Sequence, residues 1–222
     1  MSTMAVASTM RERVYRRLRE EILTCRLAPG LELHEADLAG SFATSKTPVR
    51  DALMRLASDG LIDVMPRRGY RVAAMTGRAV REAFELREVL EHGCVATAIN
   101  SASDRTLAAL EAWREFDAEA GVAAFLEYNH DFHIALARLS PNSQLANLAI
   151  EALEKCERLP WLSTETYDLE TRRRLVAEHG EIIDAIRTRE PAAVTSALSR
   201  HHDDCRLKAI DALHHWREWS EC

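Results

Sequence analysis

A mainly helical chain in two parts, an N-terminal winged helix-turn-helix followed by an all-helical bundle, is the fold class that three observations predict. Three short amphipathic helices fill residues 10 to 59. Two strand-like segments around a Pro-Arg-Arg turn follow directly. After Met75-Thr76-Gly77 the periodicity is helical alone, up to about residue 218. At 222 residues the chain is comfortable for two domains, given roughly 100 to 200 residues per domain. The boundaries are expected at 1–9 for a disordered N-terminus, 10–75 for the winged helix-turn-helix and 78–218 for a helical effector-binding and dimerisation domain.

In the first helix, about Met10 to Cys25, Val14, Leu18, Ile22 and Leu23 share one face, and Arg13, Arg16, Arg17 and Arg19 surround it. Pro29-Gly30 stops the chain. A helix of about two turns starts near His34 or Glu35, carries Leu38 and Ala39 inward and ends around Gly40 to Ala43. The polar turn Thr44-Ser45 leads into Lys46-Thr47-Pro48-Val49-Arg50, where proline suits a helix start because it has no N–H to lose. That helix runs to Asp59 with Val49, Leu53 and Leu56 facing in, and Gly60 ends it. Leu61 to Val64 and Gly69 to Val72 read as strands around Met65-Pro66-Arg67-Arg68.

The second half reads as helices near 78–100, 104–119, 121–139, 142–158, 168–188 and 190–217. Breaks fall at Ser101-Ala102-Ser103, Gly121, Ser140-Pro141, Pro160 and Pro191. Six helices joined by short turns form a bundle.

Composition narrows the function classes. Charged residues make up 29% and hydrophobic ones 47%, as in a globular domain rather than a disordered tail. No run approaches the roughly 20 apolar residues of a membrane span, and the first ten residues lack an apolar signal core, so a cytoplasmic protein with no membrane partner is expected. Five scattered cysteines without a Cys-x-x-Cys pair suit reduced thiols. The net charge of −6 is uneven: residues 1 to 75 hold 12 basic against 9 acidic side chains, and the remainder 17 against 26. The half that carries the helix-turn-helix is the one able to approach phosphate.

A recognition helix reads base edges from its first turn while nearby groups hold phosphates. Ser45, Lys46, Thr47 and Arg50 occupy that turn, and Arg67 and Arg68 lie at the wing tip, where Gly69 lets the backbone approach a duplex. The competing reading is a solvated surface with Ser and Thr as helix caps; the order of elements and the basic tip together favour DNA.

These residues resemble the GntR regulators. The resemblance rests on VYRRLREEILTCRLAPG, ADLAGSFATSKTPVRDALMRLASDGLI and PRRGYRV, spanning residues 14 to 73. Cys25 departs from the usual glycine, Ala36 stands where several relatives have arginine, and Lys46 replaces an arginine. Lysine lacks the planar fork needed for bidentate guanine recognition, so the operator is not to be copied from relatives.

In the second half, Asn129 and His133 are one helical turn apart, while His179 and His201 come from the last two helices. Three imidazoles and an amide oxygen converging in a bundle suit a borderline divalent metal such as Zn, Ni, Mn or Fe. Residues 78 to 218 resemble the FCD ligand-binding domain, in its six-helix VanR-like form, through FELREVLE, NHDFHIAL, Asn142, EHGEIIDAI and LSRHH. The resemblance implies a metal held by Asn129, His133, His179 and His201, with Asn129 where the family has aspartate. It also implies a small carboxylate effector against Arg87 and Asn142. Arg87 otherwise reads as a surface partner of Glu91.

The expectation is thus a homodimeric, metabolite-responsive repressor that binds double-stranded operator DNA and is not an enzyme. Dimerisation would place two recognition helices roughly 34 Å apart on a pseudo-palindrome. The alternatives are a metal-dependent hydrolase using the same histidines, against which no HExxH helix, nucleophile elbow or phosphate loop is present, and an effector-free DNA-binding dimer, which would require an occluded bundle.

Overall fold

The computed structural model describes residues 9–156, 158–162 and 164–220. Residues 1–8, for which a disordered tail is expected, lie outside them. The chain divides into two compact units, 1–75 and 76–222.

In the first unit, α1 (Met10–Leu23), α2 (Glu35–Ser41) and α3 (Lys46–Ser58) pack around Val14, Leu18, Ile22, Val49, Leu53 and Leu56, each fully buried. The periodic face marks the core because residues three and four apart stack on one side of a helix. The Tyr15 hydroxyl donates to Asp59 at 2.8 Å, and the Arg55 guanidinium lies 3.7 Å from the Tyr15 ring centre, which ties α1 to the end of α3.

The wing is a three-stranded antiparallel sheet rather than a hairpin alone. β2 (Ile62–Met65) and β3 (Gly69–Val72) pair as expected, and β1 (Glu32–Leu33) adds to the other edge of β3, giving the order β1-β3-β2. In that register Leu33 stands opposite Tyr70 and Glu32 opposite Arg71, with an Arg71–Glu32 hydrogen bond of 2.9 Å. A two-residue strand is too short to show alternation.

The second unit is a helical bundle of α4 (Gly77–Ser101), α5 (Asp104–Ala108), α6 (Val122–Arg138), α7 (Ser143–Cys156), α8 (Arg158–Leu162), α9 (Leu169–Thr188) and α10 (Pro191–Ser220). Phe132, Leu136, Ile182, Ile183, Ile186 and Leu198 form the centre of one core. Among the described residues no helix is long and apolar enough to cross a membrane.

The single helix expected over 104–119 is not formed. α5 ends at Ala108 and gives way to 3₁₀ turns at Ala109–Trp113 and Ala118–Ala120. The sequence carries a physical reason: Leu107, Leu110 and Trp113 recur every third residue and pack into one core, a period that suits three residues per turn better than 3.6. The Trp113 carbonyl then accepts the Tyr128 hydroxyl at 2.6 Å. The break expected at Pro160 is not there: Pro160 lies within the helical stretch Arg158–Leu162.

Candidate functional site

His133, His179 and His201 come from α6, α9 and α10, and each is at most 1% exposed. One ring nitrogen from each lies within 4.8 Å of the other two. The partners of the remaining nitrogens fix the tautomers. His133 Nδ1 lies 2.7 Å from a Glu91 carboxylate oxygen, and His201 Nδ1 lies 2.8 Å from Glu178; a carboxylate only accepts, so both Nδ1 atoms carry protons. His179 Nδ1 lies 3.1 Å from the Tyr128 oxygen, whose own hydrogen is engaged by the Trp113 carbonyl. His179 Nδ1 therefore donates as well, and its Nε2 is left buried without a hydrogen-bond partner.

All three imidazoles are thus held from outside through Nδ1–H, which leaves Nε2 as the ligating atom. This is how second-shell carboxylates and hydroxyls prepare histidines for a metal. His133 Nε2 and His201 Nε2 are 3.2 Å apart, a separation that a shared proton or a common cation would fit. Burial works against a proton on His201, but the neighbouring Cys205 sulfur, 3.6 Å away, and Glu178 outweigh it and push that imidazole up to about 10. Burial, followed by repulsion from Arg87, holds His133 well below the ordinary range. Burial and the neighbouring His201 and His133 do the same to His179. The residues fit a divalent cation: three neutral nitrogen donors become available once the extra proton leaves.

Beside the triad, a small cleft of about 40 Å³ is lined by Arg87, Asn129, Trp161, Tyr167 and Cys205 among others. Two polar atoms of this lining are buried without a hydrogen-bond partner, Arg87 Nη2 and Asn129 Oδ1. Native interiors rarely leave such groups unpaired unless a ligand or water completes them. Arg87 is not a surface residue: it is 4% exposed, and its Nε lies 3.4 Å from Glu91 Oε2. Asn142 is not brought to this site. It is exposed, and its Oδ1 accepts the backbone N–H groups of Gln144 and Leu145 at the start of α7, the ordinary work of a helix cap.

Sequence reasoning missed Glu178 and Tyr128 altogether and weighed Glu91 only as a surface partner in the competing reading of Arg87. A signal for Glu91 was present. Val80, Phe84, Arg87, Glu91, Cys94 and Ala98 are spaced by alternating fours and threes and are all buried on α4, so both charges sit on the apolar stripe.

In the first unit, Ser45, Lys46, Thr47 and Arg50 are exposed around the start of α3, and Arg67 and Arg68 are exposed at the wing tip. Ser45 stands at the N-cap position, but its side chain makes no capping hydrogen bond. The first-turn amides and the Ser45 hydroxyl are therefore left for an outside acceptor such as phosphate. Arg50 grips Glu35 through two hydrogen bonds of 2.8 and 2.7 Å, and Tyr70 OH reaches the same carboxylate at 3.3 Å. The Arg50 guanidinium holds the Glu35 carboxyl below its usual range.

Gly69 has a structural role within the sheet. Its φ is +101°, and a Cβ there would stand 2.7 Å from the Leu33 carbonyl oxygen. The glycine is required by the β1–β3 pairing.

A basic helix-turn-helix with a wing, joined in one chain to a helical unit with a buried histidine cluster, defines the class of DNA-binding regulators that carry a sensor domain. The model of the bacterial regulatory proteins of the gntR family matches residues 10–72, and that of the FCD domain matches residues 82–204. An HTH-type transcriptional regulator from an unstable DNA locus of Streptomyces ambofaciens is 30% identical over 195 residues, covering 87% of this chain and 82% of that protein. The HTH-type transcriptional repressor RspR of Escherichia coli is 29% identical over 195 residues, covering 86% and 84%. Among solved structures, E. coli McbR/YncC matches with a TM-score of 0.72 at 20% identity, covering 89% of this chain and 95% of that one. The chain belongs to the GntR family of transcriptional regulators, in the branch with a C-terminal FCD domain. This membership does not favour the hydrolase alternative.

Proposed function

We propose that the chain is a repressor whose helical unit binds a small carboxylate metabolite beside a divalent metal and thereby sets the DNA affinity of the winged helix-turn-helix. The observation that carries this reading is the triad of Nε2 atoms left facing one another, with unpaired Arg87 Nη2 and Asn129 Oδ1 in the adjoining cleft. His133, His179 and His201 would hold the metal, with Asn129 offering an amide oxygen where a charged ligand would bind more tightly. When bound, the metal supplies a positive charge and open coordination positions for an anionic ligand. Arg87 contributes a fixed buried cation that can donate to a carboxylate. Such a cleft argues against the effector-free dimer, which requires an occluded bundle.

Lys46, Arg67 and Arg68 would contact operator phosphates or bases, with Ser45 and Thr47 donating from the start of α3. Arg50 is already held by Glu35, so it acts as a positioned cation rather than a mobile one. A homodimer would present two such surfaces to the two halves of a pseudo-palindrome. Relief of repression follows only if the carboxylate binds the DNA-free arrangement more tightly than the DNA-bound one.

Gel-shift titration of the chain's own promoter region over a range of salt tests the reader. Specific binding with a steep salt slope is expected, and Lys46→Ala should lower that slope by about 2, one phosphate contact from each subunit of the dimer. Binding indifferent to salt would overturn the assignment.

The proton on His201 has a measurable consequence. It must leave before Nε2 can ligate, so the apparent metal affinity should rise as pH increases, by up to about tenfold per unit, across the window below about 10. Calorimetry of Zn²⁺ binding in two buffers of different ionisation heat should show about one proton released per ion. No release would mean that the triad is fully deprotonated before metal arrives.

A further inference from the structure

We infer that the face between α4 and α10 carries a second divalent-cation site, formed by Glu88, His92 and His202 and separate from the His133–His179–His201 triad. One ligand atom from each lies within 4.8 Å of the other two. Glu88 and His92 are four residues apart on α4, so both project from the same side of the helix, and His202 meets them from α10. The His92 and His202 rings are 5.6 Å apart between centres.

His202 is the observation that ordinary packing leaves unexplained. It is 3% exposed, yet neither of its ring nitrogens makes a hydrogen bond. Its Nε2 lies 3.4 Å from Glu91 Oε2, near enough for attraction but without hydrogen-bond geometry. A buried imidazole with no hydrogen bond and only a loose ionic contact to Glu91 is costly unless something completes it. Its neutral form keeps a lone pair on one nitrogen, which is what a cation requires.

The other two donors are only loosely engaged. Ser199 Oγ lies 3.4 Å from Glu88 Oε1 and 3.4 Å from His92 Nε2, so an ion would displace two weak contacts rather than a strong pair. Glu88 and His92 are half-buried, which gives a path from solvent. Two imidazoles and one carboxylate with room for water match the ligand set of borderline ions such as Zn²⁺. The carboxylate adds the negative charge that the inner triad lacks among its own ligands.

The test uses full-length protein stripped by a chelator and reloaded with Zn²⁺, with metal content read by elemental analysis and binding followed by calorimetry. The wild type should take up two ions per chain. His179→Ala should retain the outer ion, His92→Ala should retain the inner one, and the double variant should bind neither. Thermal melting without metal checks that each variant folds. Should His92→Ala fail to fold, Glu88→Gln replaces it, with the outer dissociation constant expected to rise about tenfold or more while the inner ion is kept. A single ion per chain that His179→Ala loses and His92→Ala keeps, or a content unchanged by both His92→Ala and Glu88→Gln, would overturn the site. Loss of the inner ion alone in His179→Ala leaves the outer site standing, so the two failures are distinguishable.

Discussion

Replacing Glu91 with alanine is expected to destabilise the helical unit by about 3–5 kcal/mol, because it removes one partner of a buried charge pair and leaves the other uncompensated. Glu91 is 3% exposed and faces Arg87 Nε at 3.4 Å and His133 Nδ1 at 2.7 Å. Arginine does not shed its proton, so the guanidinium would stay charged inside the bundle. Burial alone would raise the Glu91 carboxyl, but His133 and His202 hold it well below the ordinary range. Its stabilisation is therefore present at neutral pH and is lost only as pH falls through that depressed value. Glu91→Gln keeps an acceptor for His133 but drops the charge, and should cost less. Metal affinity should fall about 10–100-fold in the alanine variant, where His133 loses the group that orients it, and by less in the glutamine one. Denaturant titration of both variants, followed by zinc calorimetry of both, measures the two effects. Wild-type stability in Glu91→Ala would mean that Arg87 finds another counter-charge.

Gly69→Ala should cost the reader unit about 2–4 kcal/mol. Part is the strain of a positive φ in a residue with a Cβ, about 1–2 kcal/mol, and the rest comes from the contact with the Leu33 carbonyl, which is backbone and cannot rotate away. The β1–β3 pairing would have to open, shifting Arg67 and Arg68 at the tip. Operator affinity should therefore fall together with the melting temperature of this unit. A fall in affinity at unchanged stability would instead point to close approach of Gly69 to the duplex.

The architecture was largely legible from periodicity. Val14, Leu18 and Ile22, or Val49, Leu53 and Leu56, mark buried faces by spacing alone. What escaped was short or shared between elements. β1 has only Glu32 and Leu33, and the 3₁₀ run through Leu110 and Trp113 differs from an α-helix by a small change of period that a helical reading absorbs. The site was half legible. His133, His179 and His201 sit on the apolar stripes of their helices beside Phe132, Ile182 and Leu198, where a polar residue asks for a partner. The partners, Glu91, Glu178 and Tyr128, arrive through tertiary packing, which spacing along one helix does not encode. Asn142 illustrates the converse: a motif residue whose oxygen is already used to cap α7.

The central claim, that metal and carboxylate act through one cleft, is tested most directly by thermal shift of a panel of carboxylate metabolites with and without added divalent metal, in the wild type and His179→Ala. The account predicts that at least one carboxylate raises the melting temperature only when metal is present, by about 2.7 kcal/mol of linkage at a hundredfold excess over its dissociation constant, and that His179→Ala loses this response. A carboxylate shift of equal size without metal, or one retained in His179→Ala, would contradict it.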